Sequence, residues 1–131
     1  DMSTQVPYSI SGSLKFPPDL GEPVVDHPAT GSGVFTEQTD VVRALTGSGT
    51  HAVSLGTVAN GVKAFQIEVD TDAANPTTPV NIRINASSDN IQLTPGGSIT
   101  YHNPNPASGG VTQISIVYTV ACTVRIRALA G

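Results

Sequence analysis

Apolar and polar residues alternate with a period of two along most of the C-terminal two-thirds of the chain, the spacing of half-buried β-strands. Val62-Lys-Ala-Phe65-Gln-Ile67-Glu-Val69 and Val80-Asn-Ile82-Arg-Ile84 each place apolar side chains on one face. The pattern is longest near the end, where Ile114, Ile116, Tyr118, Val120, Cys122, Val124 and Ile126 occupy successive even positions. Gln113, Ser115, Thr119, Thr123, Arg125 and Arg127 take the odd ones. Strands over 112–119 and 122–129, joined by a tight turn at Val120-Ala121, are predicted to form a hairpin with one wet face. Further strands are expected over 51–58, 91–93 and 98–101, separated by turns at Asn60-Gly61 and Pro95-Gly96-Gly97. Residues 34–46 fit either one helical turn capped by Thr36 or Thr39, or a strand; their β-branched content favours the strand.

The first 33 residues differ. Tyr8, Ile10, Leu14 and Phe16 share one parity, which predicts a strand. Pro17, Pro18, Pro23 and Pro28 then interrupt the chain before Thr30-Gly-Ser-Gly33. Proline fixes φ and removes a ladder donor, so an extended, irregular arm is expected there. The organisation predicted is an N-terminal strand and Pro-rich arm over 1–33 and a core domain over 34–131. The core is expected to be an all-β antiparallel sandwich or jelly-roll-like barrel of about seven to nine short strands.

Composition supports that reading. Charged residues make up 12% of 131 residues, with 13 Gly and 10 Pro, a mixture that suits strands and turns better than long helices. The net charge of −4 is unevenly placed: residues 1–72 hold nine acids against Lys15, Arg43 and Lys63, whereas 73–131 hold Asp89 against Arg83, Arg125 and Arg127. Three scattered arginines do not make the basic face of a nucleic-acid binder. No apolar run reaches the length of a membrane span, and no signal segment is recognisable at the start. Cys122, the one cysteine, has no intrachain disulfide partner, and its parity points inward.

Motifs that carry chemistry are scarce. There is no phosphate-binding Gly-x-x-x-x-Gly-Lys loop, no Gly-x-Ser-x-Gly nucleophile turn and no pair of cysteines at metal spacing. The sequence therefore predicts no catalytic, cofactor-binding or metal site and a protein that is not an enzyme. Three features bear alternatives. His27, His51 and His102 are separate in sequence, and a hydrolytic triad would have to gather one of them with a Ser and an Asp. Asp70-Thr-Asp72-Ala-Ala-Asn75 alternates oxygen ligands as calcium loops do, but lacks the glycine turn and the later Glu of such a loop. Asn85-Ala-Ser87 matches a glycosylation acceptor. A carbohydrate face would use aromatic platforms, and the chain has no Trp, three Tyr and three Phe.

Ala64–Asp70, Pro79–Asn85, the Ile91-Gln-Leu-Thr-Pro-Gly-Gly-Ser98 turn, the Gly110-Val-Thr-Gln-Ile-Ser-Ile116 strand entry and Val124–Leu129 together resemble small β-sandwich virion proteins of tailed bacteriophages. The resemblance spans roughly residues 50–131. It implies a structural role, as a capsid decoration (cement) protein bridging neighbouring capsid subunits on the outer surface of the virion. A tail, baseplate or fibre accessory protein, including a carbohydrate-recognition module, is the alternative. Such proteins are usually oligomeric, often trimeric, and contact the major capsid protein or other virion proteins; neither nucleic acid nor membrane is an expected partner. Partner contacts are expected from the arm, at Pro17, Pro18, Pro23 and His27, and from the wet face of the last strand, at Arg125 and Arg127.

Overall fold

The computed structural model describes residues 5–16, 25–55 and 60–131. Those residues form ten strands and no helix. A two-stranded ribbon comes first, made of β1 (Val6–Phe16) and β2 (Val25–Phe35). Eight strands follow: β3 (Glu37–Leu45), β4 (Gly49–Ala52), β5 (Ala64–Val69), β6 (Val80–Ile84), β7 (Ile91–Leu93), β8 (Ser98–His102), β9 (Ile114–Tyr118) and β10 (Cys122–Ala130).

The eight strands make two four-stranded sheets, ordered β3-β10-β5-β8 and β4-β9-β6-β7. Four antiparallel pairings reveal how the chain is wound: β6 with β7, β5 with β8, β4 with β9, and β3 with β10. Strands β3 to β6 go out and β7 to β10 return beside them, as one long hairpin whose bend lies between β6 and β7. Wrapping that hairpin brings β10 against β5 and β9 against β6, and so closes the two sheets. This is jelly-roll winding of an antiparallel β-sandwich.

The inner faces follow the period-two pattern. Ile67, Val69, Val124 and Ile126 of the first sheet meet Val80, Ile82, Ile114 and Ile116 of the second, each at most 3% exposed. Burying side chains of this size contributes about 1.5–3 kcal/mol apiece. Phe65 stacks on Tyr101 with ring centroids 5.0 Å apart, filling one end of the core. The expected strands over 34–46, 62–69, 80–84, 91–93 and 98–101 are all present, although the first begins only at Glu37 and the strand expected over 51–58 is β4, which ends at Ala52.

Two expectations need correction. The strands at 112–119 and 122–129 are not a hairpin: β9 belongs to the second sheet and β10 to the first, and the chain crosses between them over residues 119–121. A crossing strand keeps its apolar parity because both sheets turn their inner faces to the same core. Secondly, the stretch expected to be irregular becomes a ladder at Val25, paired with β1 from Phe16↔Val25 to Val6↔Phe35. Pro7 and Pro28 fit there because each strand of a two-stranded ribbon has one side that needs no donor. Pro17, Pro18 and Pro23 lie outside the described residues.

Candidate interaction surface

Among the described residues, sandwich and ribbon meet at a corner at the His102 end of β8. His102 is held by both ribbon strands. The Tyr8 hydroxyl and His102 Nε2 form a 2.9 Å hydrogen bond, and the two rings meet edge to face at 5.6 Å. Gly31, opposite Ile10 in β2, lies so close to the His102 ring that a Cβ there would collide with it. Gly33, opposite Tyr8, leaves the space its ring crosses, since a Cβ there would stand 2.6 Å from Oη. The Gly31-Ser-Gly33 sequence thus makes room for two rings. Phe35 packs on Tyr8 at 6.2 Å, and partial burial pushes the Tyr8 phenol pKa above its ordinary value. Lys63 completes the corner, its Nζ donating to the carbonyls of Val34 and Gly131 at 2.8 and 3.1 Å.

Beside this corner the ribbon and the outer face of the first sheet border an open cleft of about 340 Å³. Ser9, Ile10 and Ser11 line one side, and Gln66, Thr100 and Arg127 the other. The outer face itself is polar. Arg125 Nε donates to Asp70 Oδ1 at 2.9 Å, with a longer 3.4 Å contact from Nη2 to Oδ2, and Arg127 faces Asp40 at 3.5 Å. The side chains of the two arginines are 50% and 64% exposed. The hydrogen bond and charge of Asp70 raise the Arg125 pKa. Both arginines therefore stand on the solvent face, as their parity predicts, each beside a carboxylate. His27 takes the register position opposite Leu14 in β2, away from both arginines in sequence and sheet.

The remaining candidates have local roles. Asp72 Oδ1 accepts from the backbone N–H groups of Ala74 and Asn75 at 3.0 and 3.2 Å, so this carboxylate holds its own loop while Asp70 faces Arg125. Among the described residues no group of three or more His, Cys, Asp or Glu side chains is placed to hold a metal ion. His51 and Ser54 share with Asp40 an open groove of about 540 Å³ between the β3 and β4 edges. Asp40 turns to Arg127, and the Ser54 carbonyl accepts from Thr39 Oγ1 at 2.9 Å.

Asn85, the glycosylation-motif residue, is a structural bridge. Its Nδ2 donates to the Gly110 carbonyl at 2.7 Å, and its Oδ1 accepts from the N–H groups of Thr112 and Gln113 at 2.8 and 3.1 Å. Its φ of 53° is in the left-handed region that Asn tolerates better than most residues. Cys122 is half-buried, and burial followed by the charge of Asp72 pushes its thiol pKa up. Phe65 is buried, and Tyr8, Phe35, Tyr101 and Tyr118 are half-buried.

Sequence reasoning missed the Tyr8–His102 corner. The usable signal was the pairing of Tyr8 with a two-glycine stretch at strand spacing. No protein-family model matches the chain, and no curated protein matches it in sequence.

Proposed function

We propose that the protein is a structural virion component, a capsid decoration (cement) protein of a tailed phage that bridges neighbouring capsid subunits. The observation that carries this reading is the β1–β2 ribbon, which among the described residues pairs with neither sheet of the sandwich and is tied to it at the Tyr8–His102 contact. A sandwich carrying a ribbon that pairs with neither of its sheets suits a protein whose work is to touch more than one neighbour. The sandwich supplies the body, and its wet arginine-bearing face supplies a second contact surface. Jelly-roll winding is compatible with this role but hosts many others, so the fold alone is not the argument.

Partners in this reading are the major capsid protein or other virion proteins, with the outer surface of the shell as the location and a trimer as the expected assembly. Particle localisation tests it. A cryo-electron density map of particles carrying the protein should place the sandwich over the junctions between capsid subunits. Density confined to the tail would overturn the decoration reading in favour of a tail accessory protein.

A further inference from the structure

The sandwich has four edge strands, and three are short: β4 has four residues, β7 three and β8 five. Short edges present few unpaired N–H and C=O groups, one of the ways proteins prevent strands from adding to their sheets. β3 breaks this rule. It has nine residues, contains no Pro, Gly or Lys although it carries Glu37, Asp40 and Arg43, and pairs with β10 from Glu37↔Ala130 to Leu45↔Cys122 without a bulge. No strand formed by the described residues pairs with its other side. Val42, near its middle, is 53% exposed, more than any other large apolar side chain described.

The ribbon has the complementary property. Among the described residues its strands of eleven residues each pair only with one another, which leaves both outer edges without a described partner strand. An isolated two-stranded hairpin is marginal in water. Its register also sorts the ribbon into two faces. Among its described side chains Val6, Tyr8 and Ile10 share one face with Phe35, and Pro7, Ser9 and Ser11 share the other with Val34 and Ser32.

Ribbon and edge cannot meet within one chain. β2 runs into β3 through Thr36 alone, and its N–H is tied to the Ala130 carbonyl at 3.0 Å. Antiparallel pairing of consecutive strands takes a connection of about two residues or more. The ribbon therefore leaves from the start of β3 and cannot fold back beside it.

We propose that the ribbon of one molecule adds to the β3 edge of a second copy, extending the first sheet from four strands to six. A donor of eleven residues covers an acceptor of nine, each chain carries one of each, and the apolar centre at Val42 gains a covering strand. Donor and acceptor are different surfaces, so the contact is head-to-tail and closes into a ring when the rotation between copies permits. The pairing does not depend on where in a virion the protein sits.

The test uses the full chain. Light scattering during size-exclusion chromatography should give a multimer for the wild type and a monomer for Val42→Lys, which puts a charge on the open edge. Circular dichroism and an unchanged unfolding midpoint at dilution would show that the variant folds. A photoreactive benzoylphenylalanine at position 44, in a mixture of isotopically light and heavy protein, identifies the strand that fills the edge. Links between copies should fall within residues 5–35. Links between copies from position 44 to β3 itself would overturn the proposal in favour of two-fold edge pairing. A wild type that stays monomeric at high concentration would overturn it outright. Either failure leaves the virion reading to its own particle test.

Discussion

The sandwich and the ribbon use the same kind of ladder but are held in place by different means. In the sandwich, every long strand is locked by residues far away in sequence: Ile126 pairs beside both Val41 and Ile67, and Ile116 beside both His51 and Ile82. In the ribbon, pairing stays within residues 6–35, and the described ties to the rest are those of Tyr8, Gly31 and Lys63. Cooperativity should follow that difference. The sandwich should unfold as a unit, whereas the ribbon should detach at a fraction of that free energy, as a separate cooperative segment.

The largest effect tests the sandwich. Ile116 has no exposed surface and sits between two strands of the second sheet. Ile116→Ala should cost about 2–5 kcal/mol, through lost transfer energy and the cavity left behind. Urea unfolding followed by circular dichroism should show the midpoint fall with its slope preserved. A loss below about 1 kcal/mol would mean that the two sheets are not the interlocked unit described.

Asn85→Ala comes next, because one exposed side chain replaces several backbone partners at the end of β6. Its loss strands the Gly110 carbonyl and the Thr112 and Gln113 N–H groups, at a cost of about 1–2 kcal/mol, since solvent reaches the site. The same geometry predicts that Asn85 is a poor glycan acceptor in the folded protein. Expression in a glycosylating host, followed by intact mass measurement, should show the unmodified chain.

A smaller and more local effect separates the ribbon from the sandwich. Tyr8→Phe removes the hydrogen bond to His102 while keeping the ring, worth about 0.5–1.5 kcal/mol. Amide exchange in β1 and β2 should accelerate several-fold, while amides of β5 and β10 keep their rates. Equal acceleration in both regions would show that ribbon and sandwich form one cooperative unit.

The same contrast governs what the sequence disclosed. Strands with one wet face announced themselves: Phe65, Ile67 and Val69, or Ile82 alone between Asn81 and Arg83, leave little choice of orientation. Pairing partners did not. The parity of Ile114 to Ile126 is the same whether the chain turns back in one sheet or crosses to the other, so a hairpin was inferred where a crossing exists. Val25–Phe35 was concealed because Pro28, Gly31 and Gly33 argue against a strand when read singly. Two of those residues are there for the neighbours, since Gly31 and Gly33 clear the path of the His102 and Tyr8 rings. The arginines were legible as surface residues from parity alone, but the carboxylates beside them were not, because Asp70 and Asp40 lie far from Arg125 and Arg127 in sequence.

The smallest expected effect on stability falls on that outer face, where it becomes informative about function. Arg125 and Asp70 are 50% and 37% exposed, so water and salt screen their attraction. Arg125→Ala should leave the unfolding midpoint within measuring error at physiological salt. Assembly onto particles is a different readout: an exposed arginine already oriented by a carboxylate loses little side-chain freedom when a partner covers it. Binding of the variant to particles stripped of the protein should fall several-fold, with a weaker salt dependence than the wild type shows. Unchanged binding would assign Arg125 to solubility alone and leave the ribbon as the contact that matters. A lowered midpoint would instead make the Arg125–Asp70 pair part of what holds β10 to the loop after β5, and the distinction between a structural inner face and a contacting outer face would have to be redrawn.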